Sequence, residues 1–217
     1  FFTSQGCSSC PPADRVLEEL ASSRDVLALG WHVDYWDYLG WKDTFGLPKA
    51  TKRQKAYAAS LGTRGVYTPQ AIINGQIDVV GSRGSDVMAA IREVTIGKDG
   101  LPVGIEVTSR NGVLHVEIPF VAQAAGSMLW MVYYDDARTV RIEAGENRGH
   151  EFVYANIVRD IEMIGMVADD PLQASFPVEE LGRRGFDSCA LILQKKKQKG
   201  SPGAIVGAVI IKGISGQ

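Results

Sequence analysis

Cys7 and Cys10 are separated by two serines and followed at once by Pro11 and Pro12. Two thiols at this spacing can exchange disulfides. One thiolate attacks, and its neighbour is close enough to attack the mixed disulfide that results. The same pair could instead form a permanently closed structural disulfide or contribute to a metal site. Structural zinc takes four Cys or His ligands, usually from two paired motifs. This chain has a single C-x-x-C, and His32, His115 and His150 are scattered, so no metal is assigned. Of the three cysteines, Cys189 remains. It lies in the apolar run Cys189-Ala190-Leu191-Ile192-Leu193 and reads as a small buried hydrophobe.

The segments that must position the pair alternate strand and helix. Phe1 and Phe2 read as part of a core strand, and residues 13–21 carry a helical apolar stripe of Val16, Leu17 and Leu20. Residues 26–33 are almost continuously apolar, the pattern of a strand buried on both faces of a parallel sheet. Asp34 ends that run, and an aromatic loop over 35–45 follows, holding Trp36, Tyr38 and Trp41. A polar helix is predicted over 49–61, closed by Gly62, with Lys49, Lys52, Arg53 and Lys55 on a solvated face. Strands over 70–73 and 77–80 flank Asn74-Gly75, the favoured two-residue hairpin signal. A last helix over 86–96 can be capped by Ser85.

After Gly100 the period changes from helical to alternating. Strands are predicted over 103–107, 114–120, 128–134, 139–143, 152–163, 189–194 and 204–212, the first two joined by Asn111-Gly112. Short strands at hairpin spacing argue for an antiparallel sandwich or barrel. The chain thus reads as an α/β domain over 1–98 and an all-β domain over 101–217. Residues 195–200 form a basic hairpin tip in this reading, and residues 145–150 a polar loop.

Three segments of the first half converge. Binding sites in open α/β sheets form beyond the carboxyl ends of the parallel strands. Cys7 follows strand one and Asp34 follows strand two, and Thr68-Pro69 opens strand three at the same rim if that strand runs antiparallel. Asp34 is then a candidate for proton transfer with Cys10, or else a solvated strand-end residue. Trp36, Tyr38 and Trp41 either fold over the protein's own core or line a groove beside Cys7.

Composition narrows the function classes. Hydrophobic residues make up 45% and charged residues 22% of the 217, ordinary for a globular protein. A formal net charge of −2 gives no reason to expect nucleic acid or an anionic membrane as partner. No apolar run reaches the roughly 18 residues of a spanning helix. The chain begins at Phe1, in what reads as the middle of a core strand, so upstream residues such as a removed export signal are expected.

The stretches Phe2-Thr3-Ser4-Gln5-Gly6-Cys7-Ser8-Ser9-Cys10-Pro11-Pro12-Ala13-Asp14, His32-Val33-Asp34-Tyr35-Trp36-Asp37 and Gly145-Glu146-Asn147-Arg148-Gly149 resemble the DUF1223 family. This is a bacterial group of thioredoxin-like proteins, many exported, with no firmly assigned reaction. The resemblance spans essentially the whole chain, and residues 1–98 also resemble the short, glutaredoxin-sized thioredoxin fold. It implies an α/β thioredoxin-like N-terminal domain followed by a mainly antiparallel β-sandwich. Cys7 would be the attacking thiolate and Cys10 the resolving thiol. Pro69 would be a cis-proline facing them, with Thr68 offering backbone groups, and Trp36 a surface, to a substrate. A periplasmic or secreted location is implied, with no cofactor and a protein or small-molecule thiol or disulfide as partner.

One feature departs from the thioredoxin pattern. Pro11 and Pro12 lack N–H groups and bias the residues before them away from helix, so the helix should start at Cys10 or Pro11 and leave Cys7 on the loop. Two functional classes follow. One is a thiol–disulfide oxidoreductase; the other is a non-enzymatic, thioredoxin-like binding or redox-sensing module with a structural dithiol.

Overall fold

Residues 1–95, 100–197 and 200–212 are described by the computed structural model. The first sheet is built on β1 (Phe2–Thr3), with strand order β2-β1-β3-β4. β2 (Trp31–His32) runs parallel to β1, β3 (Gln70–Ile73) antiparallel to it, and β4 (Ile77–Val80) antiparallel to β3. Asn74 and Gly75 both take positive φ, 46° and 70°, as a two-residue hairpin with the twist of its strands requires. The strand expected over 26–33 contracts to Trp31–His32. Gly30 turns instead to a parallel bridge with Ile157, and the apolar residues before it pack without joining a ladder.

The helices are α1 (Pro11–Ala21), α2 (Pro48–Leu61) and α3 (Gly84–Thr95). Leu17 and Leu20 of α1 meet Val87, Ala90 and Val94 of α3 over Ala71 and Ile73, which closes one face of the sheet. α3 begins earlier than Ser85 could cap. Ser85 Oγ bonds the Asp86 carboxylate instead, and Ile96 falls outside the described residues. α2 ends as expected at Gly62, left-handed at φ 72°, whose N–H returns to the Ala58 carbonyl. Arg53 is not on a solvated face. Its guanidinium sits 5.2 Å from the ring centres of Trp31 and Tyr57 and donates to Gln194 Oε1 at 2.7 Å.

The second half forms two antiparallel sheets. β5 (Glu106–Arg110), β6 (Val113–Ile118) and β9 (Leu172–Pro177) lie in the order β5-β6-β9. β7 (Ser127–Arg141), β8 (Glu151–Met166), β10 (Ser188–Lys196) and β11 (Pro202–Lys212) lie in the order β11-β10-β7-β8. The runs expected over 128–134 and 139–143 are one continuous strand, β7. Neither β9 nor the short helix α4 (Val178–Gly182) has an apolar run of its own, and sequence reading passed over both.

The alternation of side chains explains the unbroken apolar reading of β7 and β10. Leu129, Met131, Tyr133, Cys189, Leu191 and Leu193 face the three-stranded sheet and make the sandwich core with Leu114, Val116 and Ile118. The alternate positions Val132, Tyr134, Ala190 and Ile192 face the other way and pack with Phe2, Trp31, Val33, Ala50 and Tyr57 of the first half. A strand pair buried on both faces needs no polar alternation. The architecture is therefore a thioredoxin-like α/β unit followed by an antiparallel β-sandwich, with one sheet of the sandwich shared between two cores.

The β3–β4 turn is a contact point between the halves: Ile205 N donates to Asn74 O at 2.8 Å. A Cβ on Gly75 would fall 2.3 Å from the carbonyl oxygen of Gly203. Gly75→Ala should therefore cost about 1–3 kcal/mol through positive φ and a backbone clash, measured by denaturant unfolding.

Candidate functional site

Cys7 and Cys10 are joined in a disulfide, with Cα atoms 5.4 Å apart. α1 starts at Pro11 with Cys10 as its N-cap, so Cys7 lies on the loop before the helix. The hydrogen-bond donors at this helix end are all committed or missing. Cys10 N donates to Cys7 O at 3.1 Å, Pro11 and Pro12 have no N–H, and Ala13 N and Asp14 N both donate to Cys10 O. None of these groups is left to face the Cys7 sulfur.

Other segments approach that sulfur. Thr68 Oγ1 donates to Cys7 Sγ at 3.2 Å, and Trp36 Nε1 donates to Thr68 Oγ1 at 2.8 Å. Ser9 Oγ lies 3.4 Å from the same sulfur. The Thr68–Pro69 peptide is cis, and Pro69 leads directly into β3. Trp36 packs on the loop closely enough that a Cβ on Gly6 would sit 3.3 Å from its Cβ, and its ring stacks on Tyr38 at 6.2 Å between centres. Tyr38 is 77% exposed, whereas Cys7 is 3% exposed and Cys10 not at all.

The loop itself is held by buried polar groups from elsewhere. Gln5 N donates to Asp43 Oδ2 at 2.8 Å, and Gln5 Oε1 accepts from Trp41 Nε1 and Thr44 N. The same Asp43 oxygen lies 2.8 Å from His32 Nδ1, and its other oxygen accepts from Phe45 N. Burial alone would raise the Asp43 pKa, but the His32 ring and the N–H groups of Gln5 and Phe45 outweigh it and hold the pKa below the ordinary carboxylate value. From the second half, Asn147 Nδ2 donates to Gln5 O at 2.8 Å and Cys7 O at 3.1 Å. Asn147 is carried on the turn between β7 and β8, whose Gly145 (φ 74°) approaches Trp41 so closely that a Cβ would be 3.1 Å from the indole's Cβ.

The family model described as a protein of unknown function (DUF1223) matches residues 1–194. The chain belongs to the DUF1223 family. It is also similar to the crystal structure of protein AGR_C_4864 from Agrobacterium tumefaciens, at 34% identity and a TM-score of 0.85. That match covers 100% of this chain and 93% of the other. No curated protein matches it.

Of the residues read from sequence, this DUF1223 chain brings Cys7, Cys10, Thr68, Pro69 and Trp36 to one rim. Asp34 takes a different place, with its Oδ1 accepting from Thr51 Oγ1 of α2 at 2.5 Å. The aromatic loop divides between the two roles foreseen for it: Trp41 turns inward to Gln5, while Trp36 reaches Thr68 beside the sulfur and carries the exposed Tyr38 ring against its own. Among the described residues no group of three or more His, Cys, Asp and Glu side chains is placed to hold a metal. No helix among them is long and apolar enough to cross a membrane. Cys189 is free and fully buried, and burial pushes its thiol up to about 12.

Sequence reasoning missed Asn147 and Asp14. Asp14 stands one helical turn after Cys10, on the buried stripe that continues to Leu17, and that spacing was the available signal. Its carboxylate accepts from Thr3 Oγ1 at 2.7 Å, and burial raises its pKa from 3.8 to about 6, against the partial relief of that bond. The folded chain therefore holds this proton more tightly than the unfolded chain. The contribution to stability is complete below about pH 4 and is lost as pH rises through about 6. Asp14→Asn should remove that loss. Denaturant unfolding should find the variant more stable than the wild type at pH 8, by up to about 3 kcal/mol, with the difference vanishing toward pH 4.

Proposed function

We propose that Cys7 and Cys10 are a redox-active couple that exchanges electrons with the thiols or disulfide of a protein or small-molecule partner. The observation that carries this reading is the hydrogen bond of Thr68 Oγ1 to Cys7 Sγ at the Cys7–Cys10 pair. In the reducing direction, the Cys7 thiolate attacks a partner disulfide, forms a Cys7–partner bond and releases one partner thiolate. Cys10, as thiolate, then attacks Cys7 Sγ, closes the Cys7–Cys10 bond and releases the second. The partner disulfide gains two electrons and the dithiol loses them. A dithiol partner of lower, more negative reduction potential drives the same steps backward.

Cys10 must shed a proton before it attacks. Asp14, buried on the same helix face, suits that task better than Asp34, which is engaged with Thr51. Thr68 and the exposed ring of Tyr38 beside Trp36 flank the approach of a partner segment. A compartment in which disulfides persist, the periplasm or the exterior, suits such a couple.

The low exposure of Cys7, 3%, favours a second reading, a binding or redox-sensing module in which the disulfide stays closed. Substitution separates the two. Cys7→Ser should abolish turnover in both an insulin-type disulfide reduction and a dithiol oxidation assay, while Cys10→Ser should accumulate mixed disulfides through Cys7. A wild-type protein inert in both directions, with Cys7 titrating near the free value of about 8.5, would favour the module.

A further inference from the structure

The indole nitrogen of Trp36 is a donor only, so its 2.8 Å contact with Thr68 Oγ1 has one possible direction. Thr68 Oγ1 accepts there and has a single proton of its own to give. The Cys7 sulfur lies 3.2 Å away, in position to accept it. The helix end beside the sulfur has no N–H to spare: Cys10, Ala13 and Asp14 donate to backbone carbonyls, and Pro11 and Pro12 have none. The usual support for a thiolate at a helix N-terminus is missing, and a hydroxyl stands in its place.

We propose that Trp36 is a positioning residue for Cys7, fixing the Thr68 hydroxyl so that its proton points at the sulfur and stabilises the thiolate once the disulfide is reduced. The proposal rests on the redox reading above and adds the source of the thiolate's stabilisation. A charge-assisted O–H···S⁻ bond is stronger in the thiolate than in the thiol, so it lowers the Cys7 pKa. Stabilising the reduced form also makes the couple more oxidising. Trp36 acts through Thr68 and touches no reacting atom. Ser9 Oγ, at 3.4 Å, is a second hydroxyl at the sulfur, but nothing in the structure orients it in the same way.

The test is the Cys7 pKa, read from ultraviolet thiolate absorbance across pH in the Cys10→Ser background, which needs neither a substrate nor turnover. Trp36→Phe keeps an aromatic ring beside Tyr38 and the Cβ that packs on Gly6 but removes the donor. It should weaken Cys7 acidity by about two- to tenfold. Thr68→Val should do so at least as strongly, and Thr68→Ser should stay near the wild type. Trp36→Phe added to Thr68→Val should change nothing further. An unchanged pKa in Trp36→Phe, or an equal shift in the Thr68→Val background, would overturn the relay. If Trp36→Phe fails to fold, the contrast between Thr68→Val and Thr68→Ser decides: equal pKa values for those two would sink the proposal. Inactivity in the exchange assays with these shifts present would remove the oxidoreductase reading and leave the relay standing.

Discussion

The loop from Ser4 to Cys10 leaves the end of a two-residue strand and enters a helix that opens on two prolines. It therefore has neither a sheet ladder nor a helical turn to satisfy its backbone, yet it is largely buried, and buried backbone polar groups must find partners. Local turns supply some of them, with Cys7 N donating to Ser4 O and Cys10 N to Cys7 O, and side chains from far along the chain supply others: Asp43 for Gln5 N, and Asn147 for the carbonyls of Gln5 and Cys7. The geometry of the disulfide rests on these bonds. An Asp43 carboxylate shared with His32 and Phe45 is affordable in the interior only because each oxygen is used.

That requirement gives the β-sandwich a part in the site. The long β7–β8 hairpin ends in the turn that carries Asn147, and β8 also meets the first half through Gly30, whose N–H donates to Asn156 O while its carbonyl accepts from Val158 N. The sheet that contains this hairpin is apolar on both faces, one for the sandwich and one for the first half. Packing and polar support thus run through the same pair of strands. A change in the sandwich that shifts β7 against Trp31 and Tyr57 would also move the Asn147 amide relative to Cys7.

The chemical setting of the dithiol is correspondingly unlike a site that relies on a helix end. Prolines at the first two helical positions are well accommodated because those N–H groups would lack helical partners anyway. The same choice removes donors that a thiolate could use. What faces Cys7 instead is the hydroxyl of Thr68, held by Trp36, while on the buried face of the helix the carboxyl of Asp14, its pKa raised to about 6 by burial, is paired with Thr3.

The sequence by itself determined the local features. The spacing of Cys7 and Cys10, the prolines that hold Cys7 off the helix, the hairpin turns at Asn74-Gly75 and Asn111-Gly112, the stop at Gly62 and the change of period after the first half all follow from near neighbours. Each is encoded by backbone preference or by a repeat of side chains along one element. Strand 26–33 misled because an apolar run records burial and not ladder pairing; only Trp31 and His32 join β1. Tertiary structure alone decided which polar residues meet. Asn147 lies 140 residues from Cys7 in a loop with no periodicity, and nothing local marks its amide as the partner of that carbonyl. The sequence offered Asp34 as the acid beside the dithiol and passed over Asp14. Only the folded chain turns Asp34 toward Thr51 and buries Asp14 on the inner face of the dithiol helix against Thr3, because a hydrogen bond between distant segments depends on how sheets and helices pack and not on the residues beside each partner.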